Sequence, residues 1–91
     1  MYKRQVTTTP FTATAGTNII GVNRAGAVAI TLPANTAGRL ITVKDESGNA
    51  SVNNITITPA SGTIDGQASL VISANYAAYT LYCSGSNWFI I

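Results

Sequence analysis

Short segments in which apolar and polar residues alternate, separated by turn-forming residues, make up most of the chain. The clearest is residues 27–32, where Val28, Ile30 and Leu32 fall on one face and smaller residues fall on the other. Residues 55–58 repeat the pattern with two isoleucines and two threonines. A period of two residues is that of a β-strand with one buried face.

Five further segments share this strand character, and turn-forming residues such as glycine, asparagine and serine lie at or near their ends: residues 18–23, 40–45, 69–73, 78–84 and 88–91. Pro33 ends one strand, because proline has no N–H to donate to a sheet. Asp65 and Gly66 suit the positive φ angles of a tight hairpin turn. No segment shows a helical period. The pattern predicts an all-β fold, a small antiparallel β-sandwich or barrel of about eight short strands.

The pattern leaves the N-terminal region with two interpretations. Residues 1–17 are rich in threonine and alanine and contain Pro10, so they form either a first strand or an extended arm. Residues 18–91 form the β domain. If the arm exists, we expect Arg4 and Phe11 to contact a partner protein.

Residues 88–91 also have two interpretations. Trp88, Phe89, Ile90 and Ile91 are all apolar, so both faces of this strand need cover. The strand is either central within the monomer or located at an interface between subunits. We therefore include Trp88, Phe89 and Ile91 among the predicted interface residues.

Size and composition favour an assembled protein. The chain has 91 residues, one cysteine and no histidine, so neither an intrachain disulfide nor a zinc site can stabilise it. Charged residues make up only 9% of the chain, against roughly 25% in an average soluble domain. A surface this neutral predicts contact with other subunits over much of its area. A low-charge extracellular domain is the alternative.

The residue types exclude most catalytic chemistry. Without histidine, no catalytic triad can activate a serine or Cys83, which we expect to be an inert buried thiol. Asp45 and Glu46 are adjacent, so they point to opposite faces of a strand and cannot act as a catalytic pair. Asp45, Ser47 and Asn49 have the spacing that opens a calcium loop, but the later ligands are missing and a turn explains them better. We predict no enzyme activity, no metal and no cofactor.

The distribution of charge and hydropathy excludes two classes of partner. The net charge is +2, and the five cationic residues are scattered rather than arranged in a stripe, so we predict no nucleic-acid binding. No apolar run approaches the ~18 residues of a membrane span, and the N-terminus does not resemble a signal peptide. We expect synthesis in a host cytoplasm and no membrane association.

The second half of the chain resembles a module of tailed-bacteriophage structural proteins. The resemblance covers residues 40–91 and follows the order of six elements: residues 44–50 (KDESGNA), 54–59 (NITITP), 63–66 (TIDG), 70–72, 79–82 and 85–91. The upstream Ile-Thr-Leu-Pro of residues 30–33 also fits. In that family the module occurs in tail fibres, tail spikes and small capsid decoration proteins, often as trimers.

The resemblance implies a role in the virion. The chain begins at a methionine and ends directly after the module, which favours a decoration (cement) protein over a fibre segment. We expect a homotrimer on the capsid exterior that binds between subunits of the major capsid protein. The alternatives are a tail fibre or spike component, or a receptor-binding module in which Tyr76, Tyr79, Tyr82 and Trp88 stack on carbohydrate.

Overall fold

The computed structural model describes residues 3–14 and 16–91, with the backbone alone for Lys3 and Arg4. These residues form nine strands and no helix. The strands are β1 (Lys3–Val6), β2 (Phe11–Thr12), β3 (Ile19–Val22), β4 (Val28–Thr31), β5 (Leu40–Asp45), β6 (Ile55–Thr58), β7 (Leu70–Ile72), β8 (Ala78–Cys83) and β9 (Trp88–Ile90). The all-β prediction is confirmed.

The strands form two mixed sheets, with the orders β1-β3-β5-β8-β9 and β2-β4-β6-β7. From β1 to β6 the chain crosses to the other sheet after every strand, so neighbouring strands within each sheet run parallel. Only the pairs that involve β7, β8 or β9 are antiparallel. The predicted antiparallel arrangement is therefore wrong for the first six strands, and neither sheet closes into a barrel. The turns between those strands are crossings between sheets rather than hairpins.

Both sheets contribute to one hydrophobic core. The alternating positions predicted to face inward are buried, including Val28, Ile30 and Leu32. Strand β5 alternates in the same way, because Ile41 and Val43 are buried while Thr42 between them is half-buried. Each buried isoleucine or valine of this kind contributes about 1.5–3 kcal/mol to folding.

The residues predicted as a tight turn at 65–66 form one. Asp65 and Gly66 have φ angles of 49° and 78°, and Ile64 pairs with Gln67 across them. This turn also covers the outer edge of β9. The Trp88 N–H donates to the Thr63 carbonyl oxygen over 2.8 Å, and the Ile90 N–H donates to Asp65 Oδ1 over 3.1 Å.

The structure assigns strand positions in the described parts of the two segments that the sequence left open, residues 1–17 and 88–91. Strands β1 and β2 lie within the two sheets, paired with β3 and β4, so residues 3–6 and 11–12 are strands rather than an extended arm. Met1, Tyr2 and Ala15 lie outside the described residues. Strand β9 is the last strand of its sheet rather than a central one, since only β8 pairs with it along its length.

Gly62 and Gly38 offer a matched test of the loop packing. Both have positive φ angles, 75° and 84°. A Cβ on Gly62 would lie 2.2 Å from the Ser86 carbonyl oxygen, whereas nothing lies within 4 Å of a Cβ on Gly38. We expect Gly38→Ala to cost about 1 kcal/mol through backbone strain alone. Gly62→Ala should cost about 3 kcal/mol, because strain and steric overlap add. Urea unfolding of both variants measures the difference, and equal costs would contradict the packing of these loops.

Candidate interaction surface

The outer face of the five-stranded sheet carries an apolar surface. Its outward-pointing side chains include Ile19, Leu40, Tyr82, Phe89 and Ile91, which we call the apolar face. The exposed fractions are 49% for Leu40, 36% for Tyr82 and 67% for Ile91. A single exposed leucine is ordinary, but adjacent apolar side chains on neighbouring strands form a patch of the kind that marks interaction sites.

Three side chains of the apolar face, which we call the ridge, lie close together on β8 and β9: Tyr82, Phe89 and Ile91. The rings of Tyr82 and Phe89 are stacked, with centroids 5.5 Å apart and planes 30° from parallel. Ile91 follows β9 and is fixed beside β8, because its N–H donates to the Thr80 carbonyl oxygen over 2.9 Å. The hydrogen bond positions the Ile91 backbone, and the stacking places the two rings against each other.

Beside the ridge lies an open groove with a volume of about 390 Å³. Its lining residues are Asn18, Ile19, Leu40, Ile41, Thr42 and Thr80. Thr42 and Thr80 face each other on paired strands with their hydroxyl oxygens 3.0 Å apart. One hydroxyl donates to the other, so the pair uses one of the two O–H donors at this point of the groove.

The predicted interface residues lie in three different environments. Phe89 is half-buried and Ile91 is exposed, both on the apolar face. Trp88 is 0% exposed, and its Nε1–H donates to Asn35 Oδ1 over 3.0 Å, so its side chain belongs to the core and cannot reach a partner. Phe11 is half-buried and packs against the core. The backbone of Arg4 pairs with β3 opposite Ile20, and its side chain lies outside the described part of the chain.

Three residues of the apolar face were not among the predicted interface residues, and one of them, Tyr82, was predicted only as a carbohydrate-stacking residue. Leu40 alternates in phase with Thr42 and Lys44, so the pattern of β5 already placed it outward. Tyr82 alternates with Leu81 and Cys83 in the same way, whereas Ile19 carried no such signal. Their exposure depends on which strands neighbour them, and the order of strands is not readable from local pattern.

The buried carboxylate of Asp45 organises the loops at the opposite end of β5. Asp45 is 1% exposed and accepts five hydrogen bonds. Oδ1 accepts from the Ser47 N–H and O–H and from the Gly48 N–H, at 3.2, 2.9 and 3.1 Å. Oδ2 accepts from the N–H groups of Ala50 and Tyr76, at 3.1 and 3.0 Å. The carboxylate therefore joins residues 45–50 to the loop that precedes β8.

Two opposing effects set the pKa of Asp45. Burial disfavours the charged form and by itself raises the pKa, while the hydrogen bonds from Tyr76, Ser47, Ala50 and Gly48 lower it. The hydrogen bonds prevail, so the pKa lies below its ordinary value of 3.8. Because the donors already surround both oxygens, the calcium-like spacing of this segment is explained by a turn. In residues 3–14 and 16–91, no group of three or more histidine, cysteine or acidic residues is placed to hold a metal.

Tyr76 is the most exposed tyrosine that the structure describes. It is 59% exposed and has a φ angle of 62°, which is uncommon for a bulky residue. Its ring lies against Gly48, where a Cβ would be 2.3 Å from Tyr76 Cζ. Lys44 Nζ donates to the Tyr76 carbonyl oxygen and lies 5.8 Å from the ring centroid. Tyr79, by contrast, packs against the core.

Cys83 is fully buried and unpaired, as predicted for a structural thiol. The Gly85 N–H donates to its sulfur over 3.3 Å.

Within the described ranges, no helix is long and apolar enough to cross a membrane. Comparisons with protein-family models and with curated proteins find no match for this chain.

Proposed function

We propose that this protein is a structural component of a tailed-bacteriophage virion, a capsid decoration (cement) protein. In this proposal it acts as a homotrimer on the capsid exterior, binds between subunits of the major capsid protein, and has no catalytic role. The observation that carries the proposal is the apolar face, which the monomer leaves exposed to solvent. We also propose that the two open sheets, which enclose one core, form a β-sandwich.

The neutral surface supports an assembly role. A protein that binds only the assembled shell stabilises it by about 4 kcal/mol when its concentration is a thousandfold above Kd. Contact over a wide area with few charges avoids the cost of removing charged side chains from water. Several copies held together would also bind a repetitive shell more tightly than one copy.

The motifs that resemble the phage module have a structural role, which supports a shared fold. Asp45 of the KDESGNA segment holds two loops together through its carboxylate. Asn87, which precedes Trp88, accepts from the Thr63 N–H and O–H at 3.0 and 3.2 Å. These residues fix the turns of the fold. The resemblance therefore supports a shared fold, and it supports a shared function only because proteins of that fold would share it.

Two alternatives remain, and the exposed ring of Tyr76 supports the second. A tail fibre or spike component would use the same apolar face for assembly. A receptor-binding module would use an exposed aromatic ring on carbohydrate. Trp88 is buried in the core and Tyr79 is half-buried against it, so Tyr76 and Tyr82 are the more exposed tyrosines for this role among the described residues.

Binding to empty phage heads tests the proposal. Heads of the phage that encodes the chain, prepared without this protein, are mixed with it and sedimented, and their melting temperature is recorded. We expect the protein to sediment with the heads and to raise that temperature. The absence of binding would remove the decoration role. Binding of the same preparation to a glycan array, abolished by Tyr76→Ala, would instead support the receptor-binding module.

A further inference from the structure

We infer that Asp65 and Gly66 form a site of spontaneous isomerisation, at which Asp65 converts to isoaspartate and the turn that covers the edge of β9 opens. The site is the tight turn in which Ile64 pairs with Gln67. The reaction needs water alone. It is independent of the proposed function, because it depends only on the chemistry and the exposure of this turn.

The Gly66 backbone nitrogen is the nucleophile. In the sequence, Asp65 is the one aspartate or asparagine that precedes a glycine, the residue that hinders its own nitrogen least. Gly66 is exposed, and nothing lies within 4 Å of a Cβ built on it. Its N–H has no acceptor in the described part of the chain, whereas the N–H groups of Asp65 and Gln67 on either side donate to backbone carbonyl oxygens. The Gly66 nitrogen is therefore free to lose its proton and to attack.

The Asp65 carboxyl group is the electrophile, and it is accessible. It accepts one hydrogen bond, from the Ile90 N–H to Oδ1 over 3.1 Å, and Oδ2 has no donor among the described residues. Asp45 gives the opposite case, since it is 1% exposed and its two oxygens accept five hydrogen bonds. The nitrogen that follows it, in Glu46, already donates to the Val22 carbonyl oxygen over 2.8 Å. Asp45 is therefore an internal control that the fold protects.

The reaction has two steps that together consume no reagent. In the first step the Gly66 nitrogen attacks Cγ of the protonated Asp65 carboxyl group. The N–Cγ bond forms, the carboxyl OH leaves as water with the proton of the nitrogen, and a five-membered succinimide ring results. In the second step water adds to one of the two ring carbonyl carbons. Cleavage of the N–Cγ bond restores aspartate, whereas cleavage of the bond from the nitrogen to the Asp65 main-chain carbonyl carbon gives isoaspartate.

Isoaspartate changes the length of the turn. The main chain then runs through Cβ and Cγ of residue 65, which adds one methylene group between Ile64 and Gln67. The two N–H···O bonds between these residues, each 2.8 Å long, fit a turn of two ordinary residues and fail in the longer one. Cγ also becomes part of a peptide bond, so the carboxylate that accepts from the Ile90 N–H leaves its place. The edge of β9 then loses its cover and is open to pairing with other chains.

Incubation of the purified, folded chain at neutral pH tests the inference. Isoaspartate has the same mass as aspartate, so it is located by the retention times of peptides and by labelling with protein isoaspartyl methyltransferase. We expect isoaspartate to accumulate with time at residue 65 and not at residue 45. In the aged protein, amide hydrogen exchange should be faster at Ile90 than in the fresh protein, and unchanged at Thr42 in the middle of the same sheet.

Two glycine variants give the matched comparison. Gly66→Ala places a Cβ beside the attacking nitrogen and should slow isoaspartate formation several-fold. Gly38→Ala imposes a similar backbone strain, since φ is 84° at Gly38 and 78° at Gly66, but it lies in another loop and should leave the rate unchanged. Circular dichroism at the incubation temperature checks that both variants remain folded.

The outcomes separate the inference from the proposed function. Isoaspartate that forms at residue 65 only in urea would overturn the inference, because the fold would then protect the site. Equal slowing by Gly66→Ala and Gly38→Ala would overturn it as well. Isoaspartate at residue 65 with unchanged exchange at Ile90 would contradict the opening of the turn. None of these results bears on binding to phage heads, which is measured with the unmodified protein.

Discussion

Replacing Asp45 with asparagine is expected to lower the free energy of unfolding by about 4 kcal/mol. The carboxylate is 1% exposed and accepts five hydrogen bonds, which include those from the Ala50 and Tyr76 N–H groups. An asparagine offers one acceptor oxygen, and its NH₂ group would face donors. Several buried N–H groups would then lose their partner, each at a cost of about 1–3 kcal/mol unless the loops move. Urea unfolding monitored by circular dichroism measures the loss.

Asp65→Asn is the matched control for this substitution. Asp65 is exposed, and its carboxylate accepts the Ile90 N–H at a sheet edge. We expect a cost of about 1 kcal/mol or less, since water can replace an exposed acceptor. Equal costs for the two substitutions would show that the Asp45 carboxylate does not organise the loops.

The same carboxylate makes stability depend on pH in a predictable direction. The pKa of Asp45 is lowered in the folded protein, so its contribution is complete above the ordinary value of 3.8 and is lost as the pH falls through the folded value. The wild-type protein should therefore lose stability below pH 3.8. Asp45→Asn should remove that part of the acid dependence, and a variant with the wild-type profile would contradict the assignment.

Trp88→Ala is expected to cost about 4 kcal/mol, the loss typical of a large aromatic side chain removed from a core. Trp88 is 0% exposed, and its Nε1–H donates to Asn35 Oδ1. The substitution leaves a cavity between the sheets and a half-buried acceptor without its donor. Because Trp88 is the single tryptophan of the chain, circular dichroism rather than fluorescence follows the unfolding.

Phe89→Ala provides the comparison at the next position. Phe89 is half-buried on the apolar face, so we expect a cost of about 1 kcal/mol in the monomer. The contrast tests whether β9 alternates between core and surface. A larger loss for Phe89 than for Trp88 would mean that the two faces of the strand are exchanged.

The strand at residues 88–91 shows where local pattern stops being informative. Four consecutive apolar residues give no period, so the sequence left a central strand and an interface strand as equal readings. The register of β9 against β8 resolves the faces, since Trp88 pairs with Cys83 on the core side and Phe89 with Tyr82 on the outer side. The outer side is partly exposed because the core, and with it the second sheet, lies on the inner face of the five-stranded sheet.

The direction of the first six strands shows a second limit. Turn residues indicate that the chain reverses, but they do not say whether the next strand pairs with the last or crosses to another sheet. Here β3 pairs with β1 and β5, and β4 pairs with β2 and β6, so parallel neighbours are separated by a strand in the other sheet. Contacts between residues far apart in the chain decide this, and no short segment contains them.

The sequence by itself determined the class of fold, the position of most strands and the inward face of each alternating strand. It also predicted no histidine-dependent catalysis and no zinc site within one chain, because the given residues contain no histidine and one cysteine. Side-chain period and turn chemistry are local properties, which is why these inferences needed no structure. Only the tertiary structure decided that the sheets are mixed, that Trp88 belongs to the core, and that Leu40, Tyr82 and Ile91 share one exposed surface. Each of these depends on which strands become neighbours, and that choice is made by the core as a whole.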